Sequence, residues 1–113
     1  MTNITDEFMY SMFPKSREYC MMILRPGPNA DQEGVEKLIW EHGRRNFALR
    51  ADGQLSIVCP VTIESNISGM GIFNTSIDDT RKLMEEDPAV QAGVFVFELH
   101  PILGFPGDNL PGE

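Results

Sequence analysis

The residues predict an α+β domain in which four strands and two helices follow one another as βαββαβ. Four runs, at 19–24, 55–59, 69–73 and 93–100, have the length of strands and are rich in β-branched, aromatic or other apolar side chains. Between the first and second runs, and between the third and fourth, apolar residues recur at helical spacing. Prolines and glycines punctuate the boundaries. The order is that of the ferredoxin-like split βαβ unit, a four-stranded antiparallel sheet with both helices on one face.

Residues 1–18 read as an N-terminal extension. Phe8, Met9, Met12 and Phe13 fall on one side of a short helix that would serve as a lid or clamp. The first strand is closed by Pro26-Gly27-Pro28, since proline has a fixed φ and no N–H to donate. A helix is expected over 31–51. Val35, Leu38, Ile39, His42, Asn46 and Leu49 form its inward stripe, with His42 and Asn46 the polar members. Trp40 and Phe47, two turns apart, make a second seam that requires its own cover, from the N-terminal segment or the tail. Asp52-Gly53 ends the helix, glycine supplying the left-handed conformation usual there.

Pro60 stops the second strand, and Gly69 and Gly71 in the third mark a bulge or the close approach of a ligand. Ser76 caps the second helix, with Asp79 at its third position and Asp78 beside it. Its inward face is Ile77, Thr80, Leu83 and Met84, and Asp87, four beyond Leu83, aims a carboxylate at the core end. Pro88 disfavours a helical Asp87 and fixes a turn there. In the last strand Phe95, Phe97 and Leu99 alternate with Val94 and Val96, so both faces are apolar. Both faces need a cover, and one layer of helices supplies only one. A homodimer, or a higher homo-oligomer, is therefore expected. The folded domain is read as 19–101, and the Pro- and Gly-rich residues 102–113 as an extended tail, mobile unless docked.

Composition narrows the function. A hydrophobic fraction of 42% and a charged fraction of 23% suit a single globular domain. The formal charge of −8 repels nucleic acid and anionic membranes. No apolar run approaches the roughly 20 residues of a membrane span. The first residues lack a basic start followed by a long apolar stretch, so no secretory signal is expected and the cytoplasm is the default location. Cys20 and Cys59 lie in separate apolar runs outside any C-x-x-C pair, which reads as two buried, reduced thiols. No phosphate-binding loop, dinucleotide fingerprint or Ser/Cys nucleophile motif is present. His42 and His100 have no clear third ligand, so neither metal nor cofactor is expected.

His42 on an apolar stripe suits a hydrogen-bonded core histidine as well as a catalyst, and Asp87 suits a backbone cap as well as an acid or base. Together they suggest more, because a carboxylate that orients a histidine holds one tautomer and raises its basicity. Arg45, one turn from His42, is a candidate receptor for an anionic group, with Asn46 hydrogen-bonding beside it. Arg45 paired with Glu41 on a solvated helix edge is the structural alternative. His100, just before Pro101, reads as structural.

Several of these residues carry a resemblance. Glu41-His42, Leu49, Gly53 eleven positions past the histidine, Cys59-Pro60, Gly71-Ile72-Phe73, the run Glu-Asp-Pro-Ala-Val-Gln-Ala-Gly over 86–93 and Glu-Leu-His-Pro over 98–101 resemble the YCII-related (YciI-like) proteins. The likeness covers about 19–101. It implies a dimeric α/β barrel built from ferredoxin-like protomers, with His42 and Asp87 as a catalytic pair. The best-known activity associated with the family is a dehydrochlorinase acting on a chlorinated hydroxyhydroquinone, which implies elimination or isomerisation on a compact phenolic or anionic molecule. Cys59 stands where a glycine is usual, Arg45 and Asn46 where aromatic or aliphatic residues are usual, and Ile102 where tryptophan is frequent. These departures imply a more polar pocket. Two other readings stand beside the enzyme: a non-catalytic metabolite-binding or interaction module, and, by fold analogy alone, a cofactor-free oxygenase.

Overall fold

Alternation along the first strand sets the sheet. In β1 (Arg17–Pro26) Cys20, Met22 and Leu24 are buried, while Tyr19, Met21 and Ile23 between them point to the other face. The computed structural model describes residues 1–112; Glu113, the end of the expected tail, lies outside the described residues. β1 pairs antiparallel with β3 (Gly69–Phe73) on one side and with β4 (Phe95–Gly104) on the other. β2 (Leu55–Pro60) adds to β3, giving the order β2-β3-β1-β4. The result is an α+β domain with a four-stranded antiparallel sheet, compatible with the expected ferredoxin-like fold.

Both long strands run past the expected limits, β1 beginning at Arg17 and β4 continuing to Gly104. Pro101 is tolerated within β4 because that strand is an edge. The irregularity expected at Gly69 or Gly71 falls in the facing strand, between Leu55 and Ile57 of β2. It leaves Leu55 buried and turns Ile57 to the opposite face.

The first long helix, α2 (Val35–Ala51), starts later than the sequence suggests. Gly34 has a φ of 86° and so stands outside the helix, as Gly53 does at the other end with a φ of 80°. The residues before it form a corner pinned by hydrogen bonds from Gly27 N to Val94 O at 2.8 Å and from Asn29 N to Gly93 O at 2.9 Å. A Cβ on Gly27 would collide with the Gly93 carbonyl, so the close approach requires glycine there. α3 (Ile77–Glu85) is capped by Ser76, whose hydroxyl accepts from Asp79 N at 3.1 Å, as anticipated. A one-turn helix, α4 (Pro88–Gln91), follows it and was not anticipated.

Cys20, Met22, Leu24, Leu55, Phe73 and Phe95 from the sheet meet Leu49, Met84, Ala89 and Val94 in the core, between the helices and one face. α2 packs on β2 and α4, and α3 on β4 and α4. Two expectations about α2 require correction. Ile39, read as inward, is 41% exposed, and the Trp40–Phe47 seam is uncovered, with Trp40 69% and Phe47 62% exposed. The N-terminal helix α1 (Asp6–Met12) does not supply the cover, because it packs on little but the 3-10 turn Phe13–Lys15 that follows it.

The sheet face away from the helices carries Met21, Ile23, Ile57, Met70, Ile72, Val96 and Ile102. A polar chain crosses it: Arg25 Nε donates to Glu98 at 2.6 Å, and the other Glu98 oxygen lies 3.0 Å from His100 Nε2. Those bonds, to His100 first and then to Arg25, hold the Glu98 carboxyl below its usual range.

Cys20 faces the helices, whereas Cys59, paired in register with Met70, faces the other way and is only half-buried. Burial raises the Cys20 thiol above its ordinary range. Cys20 should therefore react with a thiol reagent only after unfolding. Mass spectrometry under non-reducing conditions should find no bridge; a native Cys20–Cys59 disulfide would contradict the strand order.

Candidate functional site

The site forms where α2 meets the corner between α3 and α4. Proline at 88 keeps Asp87 out of the α3 helix, at φ −70° and ψ 125°, and itself starts α4 as the first helical residue. One carboxylate then serves two purposes. Asp87 Oδ1 accepts from Ala89 N at 2.9 Å, capping α4, while Oδ2 lies 2.6 Å from His42 Nδ1. Asp87 is fully buried and His42 nearly so. Phe95 from β4 tilts against the imidazole, with ring centroids 4.9 Å apart at 51°.

Burial by itself would raise the Asp87 carboxyl. The hydrogen bond and charge of His42, the Ala89 N–H and the Arg45 guanidinium outweigh it, and the group is held below its usual carboxylate range. Asp87 is thus an ionised acceptor, and Nδ1–H of His42 donates to it. The other ring nitrogen, Nε2, lies 3.2 Å from Asn46 Nδ2, which donates to it in this orientation of the amide.

All four residues singled out from the sequence converge. Arg45 does not pair with Glu41, which instead binds Arg44 at 3.2 Å. Its guanidinium lies 3.7 Å from Glu86 and, through Nη1, 3.9 Å from Asp87 Oδ2. Among the described residues, two buried side-chain polar atoms have no hydrogen-bond partner, Arg45 Nη1 and Asn46 Oδ1, and both belong to this cluster. A native structure leaves few such atoms unpaired, and each calls for a partner.

Nε2 faces the Asn46 amide and opens on neither of two cavities. A cavity of about 1010 Å³ lies across one end of the sheet under the tail, lined by Tyr19, Ile57 and Ile72, by Phe47 and Arg50 of α2 and by residues 102–110 among others. Another of about 510 Å³ lies over α2. Neither is lined by His42 or Asp87. Among the described residues no group of three or more His, Cys, Asp or Glu side chains is placed to hold a metal ion.

Sequence reasoning missed Glu86, Phe95 and the Ala89 amide as members of the cluster, and the Arg25–Glu98–His100 chain on the open face. Glu98 and His100, two apart in a strand, carried the signal for the latter, because that spacing puts them on one face. Arg25 required the register. No protein-family model matches the chain, and no curated protein matches it either.

Because its folded carboxyl titrates below the ordinary 3.8, Asp87 contributes stability that is present above that value and lost as pH falls through its lower folded value. Asp87→Asn should make the acid limb of a stability–pH profile shallower. At neutral pH it should cost roughly 1.5–3 kcal/mol, the range for a hydrogen bond to a charged group. Chemical denaturation across pH checks both.

Proposed function

We propose that this protein is a small-molecule enzyme in which His42 and Asp87 act as one acid/base unit for elimination or isomerisation on a compact phenolic or anionic substrate. The observation that carries the reading is the buried 2.6 Å His42–Asp87 contact with two unpaired polar atoms beside it. The resemblance of the surrounding motifs to YCII-related proteins agrees with it.

Substrate would displace the Asn46 amide from Nε2. That nitrogen then takes a proton from the substrate, and Asp87 stabilises the imidazolium that forms. The electron pair left behind makes a double bond. In elimination a leaving group departs with its own pair; in isomerisation the imidazolium returns the proton to a different atom. Arg45 receives the anionic or phenolate oxygen, and Asn46, free of the ring, accepts from a substrate hydroxyl.

A specific observation favours the second reading, a non-catalytic metabolite-binding module: both ring nitrogens already have partners, and neither cavity described above reaches them. Screening phenolic and carboxylate compounds by thermal shift, then assaying the binders for turnover, separates the two. In the enzyme, His42→Gln or Asp87→Asn should abolish turnover without dissociating the assembly, and Arg45→Gln should raise KM more than it lowers kcat. Binding without turnover, retained in His42→Gln, would establish the module instead.

The reading includes an assembly. The apolar sheet face away from the helices suits a second copy packed sheet against sheet as a dimeric α/β barrel, since such a copy would cover the half-buried Met21, Ile23, Ile72 and their neighbours. We place the assembly in the cytoplasm, where both thiols stay reduced. Light scattering at micromolar concentration should give at least twice the chain mass of 12.7 kDa; a monomer would remove the barrel from the proposal.

A further inference from the structure

On the other side of the molecule, a groove runs along the solvent side of α2. It is lined by α2 alone, through Ile39, Trp40, Gly43 and Phe47, with Glu36 at one end and Arg44 toward the other, and forms a solvent-open hollow of about 510 Å³. Glycine in mid-helix costs roughly 0.5–1 kcal/mol relative to alanine. Nothing in the protomer explains it at position 43, where an added Cβ would meet no atom within 4 Å. A glycine at the floor of an apolar groove lets another helix approach closely.

The chain carries a helix in search of such a surface. α1 exposes Phe8, Met9 and Tyr10, Phe13 follows in the turn, and the segment packs on almost nothing else in its own protomer. A seven-residue helix is too short to be stable alone in water. Its charges match the groove. Asp6 and Glu7 stand at its start and Lys15 at the end of the turn, while the groove carries Glu36 near the start of α2 and Arg44 two turns on. Glu7 and Lys15 have the same eight-residue separation as Glu36 and Arg44, which is about 12 Å along α2 and slightly more along the arm, whose last turn is the more extended 3-10 form. Laid antiparallel to α2, the arm sets acid against Arg44 and Lys15 against Glu36.

We infer that the groove over Ile39, Trp40, Gly43 and Phe47 receives the α1 arm of a second copy of this chain. The exchange is reciprocal about a two-fold axis, so taken alone it closes on a pair of copies. It is separate from the sheet-to-sheet pairing, which covers the opposite side of the molecule and leaves Trp40 exposed.

Trp40 is the chain's single tryptophan and reports the docking directly. In the full-length protein its emission should be blue-shifted and shielded from acrylamide. In the full-length double variant with Phe8→Glu and Phe13→Glu, both at exposed positions, it should shift to the red and quench readily, with the far-UV circular dichroism of the domain retained. Co-expression of that variant with an excess of Trp40→Phe protein, which keeps the arm and has no tryptophan, should restore the blue-shifted, shielded emission, because a neighbour now supplies the arm. Identical emission and quenching in the unaltered protein and the double variant would overturn the inference. Exposure of Trp40 in the double variant that co-expression fails to reverse would also overturn it, in favour of an arm folded onto its own chain. Either failure leaves the acid/base reading of His42 and Asp87 untouched.

Discussion

The buried contact between His42 and Asp87 is the polar crosslink of the helical layer. α2 reaches the rest of that layer chiefly through the α3–α4 corner, and the corner exists because Pro88 expels Asp87 from the helix and makes it a cap. An ionised carboxylate with no exposure to water survives only where several donors converge on it. Here the His42 ring and the Ala89 amide bond to it and the Arg45 guanidinium adds its charge. Removal of any one leaves a buried charge with too few partners. Stability and chemistry therefore draw on the same atoms: the interaction that joins the helices also fixes the imidazole tautomer and directs Nε2 toward Asn46.

The domain is closed on one side of its sheet and open on the other. Strand alternation sends Cys20, Met22, Leu24 and Phe73 under the helices and an equally apolar set, Met21, Ile23, Ile72 and Val96, to the far face. The Arg25–Glu98–His100 chain breaks that face with charge. Covering these side chains with hydrocarbon would cost them their hydration, so the face is not uniformly apolar. The outer seam of α2 is a different surface in kind. It is a shallow hollow along one helix with a glycine at its floor, a shape suited to another helix.

Much of this was legible in the chain itself. The four strands, the two long helices, the Ser76 cap and the left-handed Gly53 follow from period, capping chemistry and the conformational limits of proline and glycine, all of which act over a few residues. The four members of the site could be named for a similar reason. His42, Arg45 and Asn46 lie within one turn of each other, and Asp87 is marked by the proline after it. The late start of α2 was less visible, since Gly34 sits in a stretch whose turns depend on bonds to Gly93 and Val94, far along the chain. α4 was hidden because a one-turn helix has too few residues to show a period.

By itself the sequence determined which residues were apolar, where each element had to stop and which side chains were capable of acid/base work, because those properties are local. Only the tertiary structure decided which partners they found. It placed the Asp87 carboxylate against Nδ1 of His42, turned the Asn46 amide onto Nε2, and left Arg45 Nη1 and Asn46 Oδ1 without a bond. It also left Trp40 and Phe47 bare where a cover from the same chain had been expected. The reason is common to both outcomes. Hydrophobicity is indifferent to direction and can be counted along a chain, whereas a hydrogen bond or a docked helix depends on distance and angle between residues that the chain brings together only when it folds.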